Sequence, residues 1–240
     1  MQLRTLCTLA LAWCCAAAQG APADLVLVAQ TDLTMPIAQF QDGQLAGGIL
    51  KDLGDAIAQR LGRRIDYLSV EVENVTSTLK QGRADGLCYV MPFWISGDYN
   101  WSSPLIPDEE LIAASEDAPV VHALSELRDQ PIGTITRYRY PRVEQVLGAH
   151  FVRSDSPSME KNLRQMMSGA VQYTIINQSA LTYALRHDKS IRLRPDLVFS
   201  TFKAQCAFTL KAPVPFADIN RAIDSLLNDG SVERILARYR

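Results

Sequence analysis

The sequence predicts an α/β protein of two similar lobes around a cleft, each lobe a mostly parallel sheet flanked by helices. Three observations predict this. First, one phrase occurs twice: Leu79-Lys80-Gln81-Gly82-Arg83-Ala84-Asp85-Gly86-Leu87 and Met166-Met167-Ser168-Gly169-Ala170-Val171-Gln172-Tyr173-Thr174. Each reads as a helix end, a glycine in the left-handed C-cap, a short polar link and a strand that returns to a sheet. Second, strands and helices alternate, which favours parallel sheets covered on both faces. Third, 240 residues with 48% apolar content provide for one large domain or two small lobes with real cores. The two copies differ at the end of the link, Asp85 against Gln172, and that difference is expected to bear on what is bound.

The elements follow in order. Leu25 to Ala29 is a short buried strand, and Asp42-Gly43 a tight turn. Ile49, Leu53, Ile57 and Leu61 fall four apart on one stripe, so Ile49 to Leu61 is an amphipathic helix that Gly62 stops. Ile65 to Val70 alternates like a strand. Asn74 serves as N-cap for Val75 to Gln81, and Gly86 to Val90 is the next buried strand. Pro92 to Pro107 reads as a loop, and Leu111 to Ala114 as an extended crossing segment. The second round places a strand at Pro131 to Ile135 and a helix at Arg142 to Leu147 opened by Pro141. It continues with a short strand at Phe151-Val152, a helix at Ser158 to Met167, and a strand at Tyr173 to Ile176. Asn177 is read as cap to Gln178 to Arg186. Cys206 to Leu210 returns as a strand, followed by helices at Phe216 to Leu227 and Ser231 to Tyr239.

Charge and cysteines bound the compartment. Leu6 to Ala18 is apolar apart from Thr8, follows Arg4, and is too short to span a bilayer. Small residues from Ala16 to Ala23 offer cleavage sites, so residues 1–20 are expected to be a secretory signal peptide cut near 18–23. Trp13 and Cys14 precede Cys14 and Cys15 where a lipid-acceptor cysteine needs a small residue, which argues against lipidation. The net charge of −2 carries no basic cluster that would suggest nucleic acid. Cys88 and Cys206 remain after the leader. An oxidising compartment allows a bridge between them, and two buried thiols in apolar strands is the simpler expectation.

Four stretches resemble one family, the extracytoplasmic solute-binding proteins of the amino-acid ABC importer type, with a type II periplasmic binding fold. They are Asp42 to Gly62, Leu79 to Leu87, Trp101-Ser102-Ser103-Pro104, and Ala222 to Tyr239 with Asp229-Gly230. The resemblance implies residues 21–112 as the first part of lobe 1, 113–204 as lobe 2, and 205–240 as a return to lobe 1. It implies a periplasmic monomer that captures a small molecule between the lobes and hands it to an ABC permease, without chemistry or cofactor. The family's ligand readers are altered. The arginine expected for an α-carboxylate is missing from Tyr89 to Asn100, the carboxylate expected for an α-ammonium falls at Asn177, and the covering aromatic falls at Met35. A ligand other than a standard α-amino acid follows. The scaffold also hosts cyclohexadienyl-dehydratase-like enzymes and sensory modules that work with a separate signalling partner, and these stand as alternatives.

Candidate ligand residues follow from chemistry. The segment Thr134 to Pro141 leads from a strand into a helix, whose free N–H groups and adjacent arginine form an anion site. Arg137 is the first choice, Arg139 the second, with Tyr138 between them; a solvated arginine packing its stem on a tyrosine is the alternative. Trp94 offers a stacking wall with Phe93, and Tyr89 and Met91 lie at a strand's carboxyl end, where open α/β sheets bind ligands. Asn177 and Met35 complete the set. His122, His150 and His187 lack ligand spacing, so no metal site is expected.

Overall fold

The computed structural model describes residues 25–240, and the expected signal peptide lies outside them. The first round of elements is β1 (Leu25–Gln30), β2 (Gln39–Gln41), β3 (Gln44–Gly47), α1 (Ile49–Leu61), β4 (Ile65–Val70), α2 (Val75–Lys80) and β5 (Gly86–Val90). The apolar stripe of α1 does what its spacing requires: Ile49, Leu53 and Ile57 are buried in one cluster with Leu25 and Leu27 of β1. Each such side chain removed from water stabilises by about 1.5–3 kcal/mol. Gly62 ends the helix at φ 66°, its N–H donating back to the last turn.

The second round starts with β6 (Tyr99–Trp101) and β7 (Ile106–Ser115). It continues through β8 (Pro131–Ile135), α3 (Pro141–Leu147), β9 (Val152–Ser156), α4 (Met159–Met167), β10 (Tyr173–Asn177) and α5 (Gln178–His187). The long β11 (Leu193–Thr209) then leads to α6 (Phe216–Asn228) and α7 (Ser231–Ala237). Among the described residues, nine strands share one sheet in the order β4-β1-β5-β11-β7-β10-β8-β9, with β6 on β11. The parallel triplets β4-β1-β5 and β9-β8-β10 have the same order, each entered at its middle strand. The doubled glycine phrase ends at the third strand of each triplet, with Gly82 at φ 68° and Gly169 at φ 74°. Buried clusters lie on both faces of each triplet, as parallel strands require.

Two antiparallel strands, β7 and β11, join the lobes. They pair from Ile106 and Ala204 at one end to Ser115 and Leu193 at the other, with register shifts between Pro195 and Leu197 and between Val198 and Ser200. Both run longer than the sequence suggested, because their outer ends are half-polar and carry no strong alternation. Past Ala204, β11 continues onto β5 and β6. There Cys206 lies opposite Cys88, and the two are joined in a disulfide, in place of the pair of free buried thiols. The Trp101-Ser102-Ser103-Pro104 step is a stitch. The Ser102 amide donates to the Cys206 carbonyl (2.9 Å), and Ser103 bonds Asn220 and Asp224 of α6.

Three local expectations are corrected. Asn74 closes a 3₁₀ turn and makes no side-chain cap to α2. Asn177 occupies the N-cap position of α5 without a side-chain cap bond, and the Ser179 amide goes instead to the Asp108 carboxylate (3.2 Å). Asp85 does not differ from Gln172 for the sake of a ligand. It sits at the amino end of β5, away from the cleft, where its carboxylate accepts the Val26 amide (2.7 Å) and its carbonyl accepts Thr209 (2.8 Å). It is a clamp holding β1, β5 and β11 in register.

Candidate functional site

The carboxyl ends of both triplets face each other across the crossing strands, which is where loops after parallel strands can converge on a ligand. Lobe 1 contributes the segment after β1, with Asp32, and Glu73 after β4. Lobe 2 contributes the Thr136 to Tyr140 loop after β8 and the start of α4 after β9. Two residues that hold the site carry unusual backbones. Tyr89 at the end of β5 has φ 60° and Arg137 has φ 67°. For side-chain-bearing residues this conformation costs about 1–2 kcal/mol and persists only where surroundings enforce it.

Protein groups bridge the lobes at Asp32 and Glu73. The Tyr138 hydroxyl donates to Asp32 Oδ2, and the Met159 amide of α4 donates to the Asp32 carbonyl (3.2 Å). Arg137 Nη1 lies 3.0 Å from Glu73 Oε1. Asp32 is buried, and its Oδ1 has no hydrogen-bond partner among the described residues. Burial pushes its carboxyl above the ordinary aspartate value, against the pull of the Tyr138 bond.

A second cluster lies on the crossing strand. Asp108 of β7 is buried and accepts from the Tyr89 hydroxyl (2.6 Å) and the Ser179 hydroxyl (2.6 Å). Glu110, two residues on, is raised mainly by burial, with Asp108 adding to the rise and a Ser200 hydrogen bond and Arg142 opposing it. The Tyr89 and Tyr138 hydroxyls are held far above the ordinary tyrosine value by burial and by these carboxylates, so both remain donors. Trp94 stands edge-on to Phe202 of β11 (5.2 Å between centroids) and Tyr89 (6.4 Å), with Phe93 beyond it at 69% exposure.

The candidate residues therefore separate. Arg137, Tyr138, Tyr89 and Trp94 gather at the cleft. Arg139 does not: it is exposed and ion-paired with Glu144 of α3, the helix that follows it (2.9 Å). In the loop that leads into α3, three backbone amides are already bonded within the protein. The Thr136 amide goes to Ser156, the Tyr138 amide to Ile135, and the Tyr140 amide to the Glu144 carboxylate. Met91 accepts the Trp94 amide in a turn (2.9 Å), Asn177 pairs with Glu110 across β10 and β7, and Met35 is half-buried beside Pro36. Sequence reasoning missed Asp32, Glu73, Glu110 and Ser179. The available signal was the acid pair Asp108 and Glu110 on one face of an otherwise apolar strand.

Neither a protein-family model nor a curated protein matches the chain. Solved structures do match it. A histidine kinase sensor domain with similarity to periplasmic binding proteins aligns over 90% of this chain and 95% of its own, at 19% identity and TM-score 0.76. The amino-acid ABC transporter substrate-binding protein AbpA from Streptococcus pneumoniae, bound to L-arginine, aligns over 90% and 93% at 17% identity and TM-score 0.74. The arginine-, lysine-, histidine-binding protein ArtJ from Geobacillus stearothermophilus aligns over 90% and 94% at 17% identity and TM-score 0.73. The chain has the two-lobed α/β fold of the periplasmic binding proteins.

Proposed function

We propose that the protein is a periplasmic solute-binding protein, acting as a monomer, that captures a small polar ligand between its lobes and presents the closed form to an ABC permease. The reading is non-catalytic. The observation that carries it is the buried, half-satisfied Asp32 at the meeting of the lobes, with Glu73, Asp108 and Glu110 set around the same cleft. A buried carboxylate oxygen without a partner costs stability, and an N–H donor from a ligand removes that cost. The acid excess favours an ammonium or guanidinium group, in place of the anion that the α3 loop first suggested. No arginine in Tyr89 to Asn100 awaits an α-carboxylate, which disfavours a standard α-amino acid.

Thermal-shift titration with putrescine, agmatine, L-arginine and L-glutamine tests this. The diamine and agmatine are expected to raise the melting temperature, with the rise abolished in Asp32→Asn. Stabilisation by glutamine alone, or cation binding indifferent to Asp32→Asn, refutes the ligand class. A second reading is a ligand-sensing envelope protein with a separate signalling partner. It is favoured by the likeness to the histidine kinase sensor domain, and co-purification with a kinase instead of a permease would select it.

A further inference from the structure

We propose a second small-molecule site, beside the cleft and sharing the Asp108 and Ser179 wall with it, that takes an organic monocarboxylate with an apolar body. A cavity of about 720 Å³ opens between α1 and α7 of lobe 1 and α5 of lobe 2. Its lining includes Asp108 and Ser179 but none of Asp32, Glu73, Arg137 or Tyr138. Its size falls within the range of small-molecule pockets. Its walls are apolar where Ile37, Ile49, Ile106 and Phe202 face it.

The charges on the lining choose the ligand. The side chains of Arg186 of α5 and Lys203 of β11 both line the cavity and have no ion-pair or hydrogen-bond partner among the described residues. The other charged groups are accounted for. Arg240 is paired with Glu233 (2.8 Å), and Asp108 is held by Tyr89 and Ser179. Glu109 remains as an unpaired acid, so two free cations from different elements stand against one free carboxylate. Such a lining suits one carboxylate reaching the cations while its apolar part lies on the isoleucines and Phe202. The ring of Phe202 also packs on Trp94 and Tyr89, so this cavity and the cleft share a wall.

Calorimetry with hexanoate, hexylamine and hexanol on the full chain tests the proposal. Hexanoate is expected to bind saturably and to shift Trp94 emission, with hexylamine at least tenfold weaker. Arg186→Gln/Lys203→Gln, which changes exposed groups only, should weaken hexanoate at least tenfold. Thr182→Trp, which fills the cavity without touching charge, should do the same. Asp32→Asn should leave hexanoate binding intact. Equal binding of hexylamine, wild-type affinity in the double variant, or loss of hexanoate in Asp32→Asn overturns the site. Binding with unmoved Trp94 emission overturns its placement against Phe202.

Discussion

Replacing Tyr138 with phenylalanine removes one hydroxyl, and that hydroxyl joins the lobes. It donates to Asp32 Oδ2, while Oδ1 of the same carboxylate already lacks a partner. A hydrogen bond to a charged acceptor contributes about 1.5–3 kcal/mol. The bond exists only while the lobes are together, so its loss acts on the closed form relative to the open one. At about 1.4 kcal/mol per factor of ten, Tyr138→Phe shifts that equilibrium about ten- to a hundredfold toward open. Arg137 is the contrast in the same loop. Its pair with Glu73 is 58% and 36% exposed, and such pairs contribute about 0.2–1 kcal/mol, a shift below about sixfold that salt screens further. The Met159 amide reports both, because it is bonded to the Asp32 carbonyl across the cleft and exchanges when the lobes part. Its hydrogen-exchange rate should rise about ten- to a hundredfold in Tyr138→Phe at any salt. In Arg137→Ala it should rise by less than about sixfold, and only at low salt. Unchanged exchange in Tyr138→Phe, or a larger effect from Arg137→Ala, refutes the view that the buried bond outweighs the exposed pair.

Other expectations follow from the same geometry. Asp32 and Glu110 have carboxyls raised in the folded state, so the folded protein binds more protons than the unfolded chain above pH ~4. Their contribution is present at pH ~4 and lost as pH rises through the folded values. Glu110→Gln should therefore gain stability over the parent at pH 8 relative to pH 4 in urea denaturation, and the opposite slope counts against the assignment. Reducing Cys88–Cys206, which closes a separation of 118 residues, should lower stability by about 2–5 kcal/mol, read as a shifted urea midpoint with and without dithiothreitol. Gly133→Ala would place a Cβ 2.3 Å from Asn162 Oδ1 and 2.9 Å from Thr174 Oγ1, and should cost about 1–3 kcal/mol in thermal melts. Arg137→Gly should be about 1 kcal/mol more stable than Arg137→Ala, because glycine adopts φ 67° without strain.

The scaffold was legible because its signals are local. The four-residue stripe of α1 and the two glycine phrases depend on neighbours within a turn or two, and both recur in the structure. The crossing strands were less legible, since Arg194, Asp196, Ser200 and Lys203 interrupt any alternation and the pairing of β11 with β7 is long-range. The site was least legible of all. Arg137 was singled out because a helix start draws attention to an arginine, but its partner Glu73 lies in the other lobe, 64 positions earlier. Asp32 was passed over beside Met35 for the same reason: nothing near it in sequence shows that Tyr138, 106 positions away, will reach it. Asp85 misled in the opposite direction, a carboxylate whose partner is a backbone amide at the far end of the strand from the cleft.

The continuity of β11 has a mechanical consequence. One strand runs from Leu193 to Thr209 through both lobes, hydrogen-bonded to β7 along its first part and clasped to β5 by a disulfide at its end. A lobe on such a mounting is tied to the other along two paired strands, so its movement is carried by bending and twisting of a two-stranded ribbon. The ribbon acts like a spring between the two lobes. The irregular register at Pro195 to Ser200 places the softest stretch of that spring inside lobe 2, and the covalent clasp anchors its stiff end in lobe 1.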